Sequence, residues 1–384
     1  MPSAFRLTRS CETRQYRLTA FSSLNALSPR ASRALARAFA LVEDVAFRVL
    51  AAGNQPDFRT IADFRKTHLA ALTGFFQQAL RLAQALGTPK VGRVALDSTK
   101  IKANASKHKA MSHGRMREKQ QQLREEVQQL LDQAEAADAA EDAEFGPDRR
   151  GDELPAELQR RESRIKRIRE AKRALEDRAK DEAAAAGHPA ESAKPDPKAQ
   201  YNFTDPESRI MKGPDGFVQA YNVQVAVDEL QLIVGHAVTQ QTNDKKQLMP
   251  MVTTIAQQSG YTPAQLLADA GYCSDENLTA IADTRIDAYI STRKQTHGER
   301  PGPCPRGPLP KTATIVDQMS RKLLTKTGAA VYAARKGIVE PVIGQIKQTR
   351  GFRQFLLRGF EKVQGEWSLV CTTHNILKLY RLCT

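Results

Sequence analysis

Two short apolar runs constrain this chain more than any other feature. Val94-Ala95-Leu96 and Leu266-Leu267-Ala268 are each closed by an aspartate, Asp97 and Asp269. Runs of this length and aliphatic character, bounded by polar residues, read as core strands, expected here over 91–98 and 266–269. Each presents its acid at the C-terminal end. The two acids lie 269 − 97 = 172 positions apart, a gap that a long helical insertion explains.

From Met116 to about Pro197 the chain is charged and rich in Ala, Glu and Arg. Met116, Leu123, Val127, Leu130 and Ala134 step by sevens, fours and threes. After Phe145-Gly146-Pro147, the residues Leu154, Leu158, Ile165, Ile168, Leu175 and Ala179 do the same. Two such stripes around one break predict an antiparallel helical hairpin with coiled-coil packing, a thin-seamed arm. Gly187 to Lys198 reads as a linker. Strand signals resume after Asp215-Gly216, with a hairpin over 217–227 and 230–238. A helix follows over 245–258, its start blurred by Pro250. Beyond Asp269, Ser274 is placed to cap a helix with Asn277 at the capping-box position. A short strand over 286–291, a Pro- and Lys-rich basic loop over 295–327, and helices over 329–350 and 359–382 complete the chain.

With the insertion removed, the order is strand, two antiparallel strands, helix, strand, helix, strand, helices. That is the order of a ribonuclease-H-like α/β mixed sheet. Upstream, 32–86 carries helical periodicity interrupted by a turn at 53–57. Within it, 59–66 reads either as a DNA-contacting helix or as an amphipathic helix with a solvated basic face. The expected organisation is therefore 1–30 unassigned, a helical DNA-binding region over 31–90, a catalytic domain made of 91–115 and 199–384, and an insertion with its linker over 116–198.

The 58 Lys and Arg outnumber the 43 Asp and Glu, for a net charge of +15 across 384 residues. That excess favours a polyanionic partner, because phosphate contacts release condensed counterions. The five cysteines are scattered without a CxxC pair, which excludes a disulfide framework and a zinc site from the expectation. No apolar run approaches the roughly 18 residues of a membrane span, and no secretory signal is expected. HExxH, GxxxxGK[ST] and GxSxG are absent from the sequence, so protease, NTPase and lipase readings find no support.

Two strand-end acids plus a third acid on a later helix form an arrangement able to hold two divalent ions, which prefer carboxylate oxygens. Four blocks take this further: VALDSTKIKANASKHKAMSHGRM (94–116), FTDPESRIMKGPDGFVQAYNVQVAVD (203–228), LLADAGYCSDEN (266–277) and YAARKGIVEPVIGQIKQTRGF (332–352). In order, they resemble the catalytic blocks of bacterial insertion-sequence transposases of the DDE class. The resemblance implies that Asp97, Asp269 and Glu340 are the catalytic, metal-binding acids, with Mg²⁺ or Mn²⁺, two ions, as cofactor. It also implies a Tyr, Arg, Glu and Lys signature here carried by Tyr332, Arg335 (or Lys336), Glu340 and Lys347. Lys100, Lys102 and Arg350 join these as candidate DNA contacts. The implied function is cleavage of insertion-sequence ends and strand transfer into target DNA by a homo-oligomer in the cytoplasm, associated with the nucleoid. The alternative is a truncated, non-catalytic DNA-binding remnant, because residues 1 to about 40 depart from the family pattern.

Smaller features carry their own expectations. Pro341 directly follows Glu340, which predicts either a kink near Gly337 or a helix restarting at the proline. The DPESR stretch around Asp205 reads as a support near the acids or as a local turn network. His108 and His113, in a basic segment, read as solvated loop histidines ahead of phosphate contacts. Trp367 and His374 lie on a core stripe of the last helix.

Overall fold

The computed structural model describes residues 45 and 49 and most of 52–383, apart from 56, 58–59, 61–62, 65–66, 89–91, 146–155, 186, 214–215, 294–301 and 311. Expectations for 1–44, and for most of the 59–66 segment, fall outside the described residues. The chain divides into two units, 1–79 and 80–384. In the first, Asp57 Oδ1 accepts the Thr60 N–H at 2.7 Å, and the rings of Phe64 and His68 meet one helical turn apart at 4.5 Å. Helix α1 (Leu69–Ala85) follows.

The second unit opens with β1 (Arg93–Lys102). The arm comprises β2 (Ala110–Ser112), α2 (His113–Phe145), α3 (Ala156–Ala185) and β3 (Gln200–Asn202). The sheet resumes with β4 (Arg209–Gly213), β5 (Gly216–Asp228) and β6 (Ile233–Thr239). Then come α4 (Leu248–Ser259), β7 (Gln265–Ala268), α5 (Asp275–Ala282) and β8 (Asp287–Ile290). Helices α6 (Ile315–Leu324), α7 (Lys326–Gly344) and α8 (Phe360–Cys383) close the chain, α7 running into a π turn over Gln345–Thr349.

Strand β5 is antiparallel to β1 on one edge and carries β6 and β4 on the other, while β1, β7 and β8 run parallel. The order β6-β5-β1-β7-β8 is the ribonuclease-H-like mixed sheet that the element order predicts. Because side chains alternate across a strand, Val94 and Leu96 of β1 and Leu266 and Ala268 of β7 share one face. They pack there with Leu248, Met251 and Ile255 of α4 and Leu278 and Ile281 of α5. Helix α7 lies against β1, β5, β7 and β8, and α8 against β6. On α8, Val363, Trp367 and His374 are buried, as the stripe predicts.

The arm is a helical hairpin with the predicted seam. Met116 and Leu123 of α2 cluster with Ile165, Ile168, Ala171 and Leu175 of α3, and Val127 packs at the edge. Its base is clasped by the β2–β3 pair, formed by segments whose sequence reads as basic segment and linker. His113 is buried at this base, its Nε2 3.8 Å from Glu176, rather than in a solvated loop.

Three further expectations are corrected. First, β1 does not end at Asp97 but continues to Lys102, because β5 is long enough to pair it from Val94↔Asp228 to Lys102↔Ala220. Second, the basic loop contains α6, started by a capping box between Thr314 and Asp317, with Ile315, Val316 and Met319 on the core. A Thr-x-x-Asp signal before Val316 marked it. Third, the helix does not restart at Pro341: α7 runs through it. Proline at this position leaves the Gly337 carbonyl without its usual helical donor. The Gln231 side-chain amide donates to that carbonyl at 3.0 Å from the β5–β6 turn, where Gln231 itself adopts φ 62°.

Candidate active site

Strands β1 and β7 are aligned so that Ala95 faces Leu267. The offset, 267 − 95 = 172, equals the separation of the two aspartates, so two residues beyond the last paired ones Asp97 stands beside Asp269. Alternation places both on the sheet face opposite Leu96 and Ala268, the face covered by α7. There a guanidinium meets them: Arg335 Nη2 lies 3.3 Å from Asp97 Oδ2 and 3.9 Å from Asp269 Oδ2. Arg335 is 7% exposed, and its Nε lacks an acceptor among the described residues. Lys336, the other basic residue of this stretch of α7, is exposed. The phase was legible: Val331, Ile338, Val339 and Val342 form the buried stripe of α7, and 335 falls within it.

The Asp97 side chain is 17% exposed and that of Asp269 43%. Burial pushes the Asp97 carboxyl up to about 6; Arg335 and the Ser98 N–H pull it down without prevailing, and Asp269 and Glu340 add to the rise. Asp269 accepts the Gly271 N–H at 3.0 Å, which fixes its carboxylate at the turn after β7.

Other candidates divide clearly by position. Tyr332 is half-buried beside the pair, its hydroxyl pushed up by burial and hydrogen-bonded to Ser291. Lys347 donates to Thr99 Oγ1 at 2.5 Å, and burial lowers its pKa. Lys100 lies 4.0 Å from Asp244. Lys102 is exposed at the far end of β1, and the Arg350 guanidinium turns to Thr373 on α8, at 3.1 and 3.2 Å. Glu340 is exposed on α7, and its charge bears on Asp97. Among the described residues, no three acid, His or Cys side chains converge closely enough to hold a metal ion.

A divalent ion fits the Asp97–Asp269 pair by donor chemistry. Two hard carboxylate oxygens already reach one cationic centre, the Arg335 nitrogen, from neighbouring strands.

The sequence reading missed Asp244, which is 8% exposed and ahead of α4. On the other face of the sheet, its Oδ2 accepts from Ser98 Oγ at 2.8 Å, and its Oδ1 from Asn222 Nδ2 and Gln224 Nε2, each at 2.7 Å. Tyr272 Oη donates to Gln224 in turn. The network thus braces the residue after Asp97 and the turn after Asp269. Gly271 is required there: a Cβ would stand 3.0 Å from Asp269 Oδ1 and 3.3 Å from Asp244 Oδ2. An acid just before a helix reads locally as a cap, and nothing in the spacing separates this one. Asp244→Ala is expected to lower unfolding free energy by roughly 3 kcal/mol or more, since it strands three donors at buried or half-buried sites. Urea unfolding measures it, and a loss below about 1 kcal/mol contradicts the bracing role.

Asp205 and Glu207 belong to a turn network. Asp205 accepts from Tyr221 Oη at 2.9 Å and the Gly359 N–H at 3.3 Å, and Glu207 from the Phe360 N–H at 2.6 Å. They pin the start of α8.

A six-stranded mixed sheet whose parallel strands β1 and β7 bring two aspartates together under a helix-borne arginine defines an α/β domain of the ribonuclease-H-like class. The family model of the transposase DDE domain matches residues 188–376, a span that includes Asp269 and Glu340 and begins after Asp97. That match supports an insertion-sequence DDE transposase, a family that implies DNA as partner. No curated protein and no solved structure gives a significant match. Among the described residues, no helix is long and apolar enough to cross a membrane.

Proposed function

We propose that this chain cuts DNA at the ends of an insertion sequence and joins the freed 3′-hydroxyl to target DNA, using Asp97, Asp269 and Glu340 to hold two divalent ions, Mg²⁺ or Mn²⁺. The observation that carries the reading is the β1–β7 register, which sets Asp97 and Asp269 against one cationic centre. Ions held there supply activation of the attacking hydroxyl and stabilisation of the leaving oxygen. Asp97 and Asp269 provide the carboxylates from rigid strand positions, and Arg335 holds both in place and offsets their mutual repulsion. Tyr332 and Lys347 line the approach to the pair and orient phosphates flanking the scissile bond, while Lys100, beside Asp244 on the other face of the sheet, contacts DNA further from that bond. Lys102, Lys336 and Arg350 contact DNA further from it. In this reading 31–90 recognises DNA, 91–115 with 199–384 is the catalytic domain, and 116–198 is an insertion within it. Two DNA ends require a homo-oligomer, acting in the cytoplasm at the nucleoid.

A second reading, a non-catalytic DNA-binding remnant, rests on the departure of residues 1 to about 40 from the family pattern. The two are separated by incubating the protein with DNA carrying the element's inverted repeats and Mg²⁺ or Mn²⁺, beside Glu340→Ala. Metal-dependent cutting and joined products from the wild type, lost in the variant, are expected. DNA bound by both proteins and cut by neither establishes the remnant.

A further inference from the structure

The groove between α2 and α3 carries a charge pattern that packing does not require. Its walls hold Arg117 and Arg124 from α2 and Lys166, Arg169 and Lys172 from α3, against two acids, Glu118 and Glu162. The stretches near the base and further along the arm share Arg124, so the cations form one track. Arg117, Arg124, Lys166 and Arg169 are exposed, and no ion pair holds them among the described residues. Neighbouring Lys172 and Arg161, by contrast, sit 3.9 Å from Glu176 and 3.2 Å from Glu126. On a helix rising 1.5 Å per residue, Arg117 and Arg124 are about 10 Å apart and Lys166 and Arg169 about 4.5 Å apart. Isolated helices of this polarity ordinarily lace their cations to acids three or four residues away. Here those cations are left open along one side of the hairpin, well suited to a row of phosphates.

We propose that this groove is a second DNA contact, gripping the duplex phosphodiester backbone without reading sequence. It rests on DNA being the partner and assigns the arm a share of the affinity separate from the Asp97–Asp269 site. Phosphate contacts appear as salt dependence, each adding about 0.9 to the slope of log affinity against log salt.

The test is fluorescence anisotropy of the full chain with a duplex of unrelated sequence, at several salt concentrations. The triple variant Arg124→Gln, Lys166→Gln, Arg169→Gln is expected to lower the slope by about 2 to 3, so that raising salt from 50 to 200 mM costs it about 40-fold less affinity than the wild type. Gln121→Lys with Gln128→Lys, which adds charge along the same groove, is expected to steepen the slope. It keeps the proposal testable if the triple variant does not fold. An unchanged slope in variants with wild-type circular dichroism overturns the groove proposal alone. An unchanged slope with a changed sedimentation coefficient overturns it in favour of a contact between protein copies. A wild type that binds no duplex at low salt overturns both this proposal and the DNA-processing reading beneath it.

Discussion

Asp97→Ala and Asp269→Ala, made singly in the full chain, are each expected to reduce metal-dependent DNA cleavage about 1000-fold or more, with DNA binding retained. Losing one of two carboxylates that share a cationic centre removes several kcal/mol of charge stabilisation at the reacting phosphate. Binding is spread over many basic side chains, so it survives. Asp269 gives the cleaner experiment. Its side chain is 43% exposed, against 17% for Asp97, so its removal disturbs packing less. Thermal unfolding of Asp269→Ala beside the wild type checks this. Cleavage within tenfold of wild type in either variant would remove that aspartate from the catalytic set. Arg335 sharpens the test, because it contacts both acids: Arg335→Gln should impair cleavage less than either aspartate variant while reducing stability more than Asp269→Ala.

The second large effect is a pH dependence of stability in the metal-free protein. The Asp97 carboxyl is raised from 3.8 to about 6, chiefly by burial. Between those values the unfolded chain has released the proton while the native chain retains it. This group's contribution to stability is therefore full below pH 3.8 and is lost as pH rises through 6. The shift of about 2 units corresponds to about 3 kcal/mol. In chelator, the stability difference between wild type and Asp97→Asn should shift by about that amount between pH 4 and pH 8, with the wild type relatively stronger in acid. A difference curve flat to within about 0.5 kcal/mol contradicts the buried, proton-retaining Asp97. Added Mg²⁺ should stabilise the wild type more at pH 8 than at pH 5, because an ion at the carboxylate competes with the proton.

Much of the frame was legible. The arm seam of Met116, Leu123, Ile165, Ile168 and Leu175, the β5–β6 hairpin and the Ser274 cap follow from periodicity and local chemistry, which act over a few residues. The missed α6 had a local signal as well, in its Thr314–Asp317 box. The extension of β1 to Lys102 had none. It depends on the length of β5, whose paired residues lie more than 100 positions away.

The sequence by itself determined most of the strands and helices, which face of each is apolar, and which acids and bases stand near the ends of core elements. Periodicity writes the buried face directly into residue order. Only the tertiary structure decided that Asp97 and Asp269 meet at one guanidinium, that Arg335 rather than Lys336 supplies it, and that Asp244 braces the opposite face. It also decided that Gln231 satisfies the carbonyl freed by Pro341. Each of these depends on register and helix rotation between segments 100 or more residues apart, where one residue of slip or 100° of turn sends a side chain to the other face.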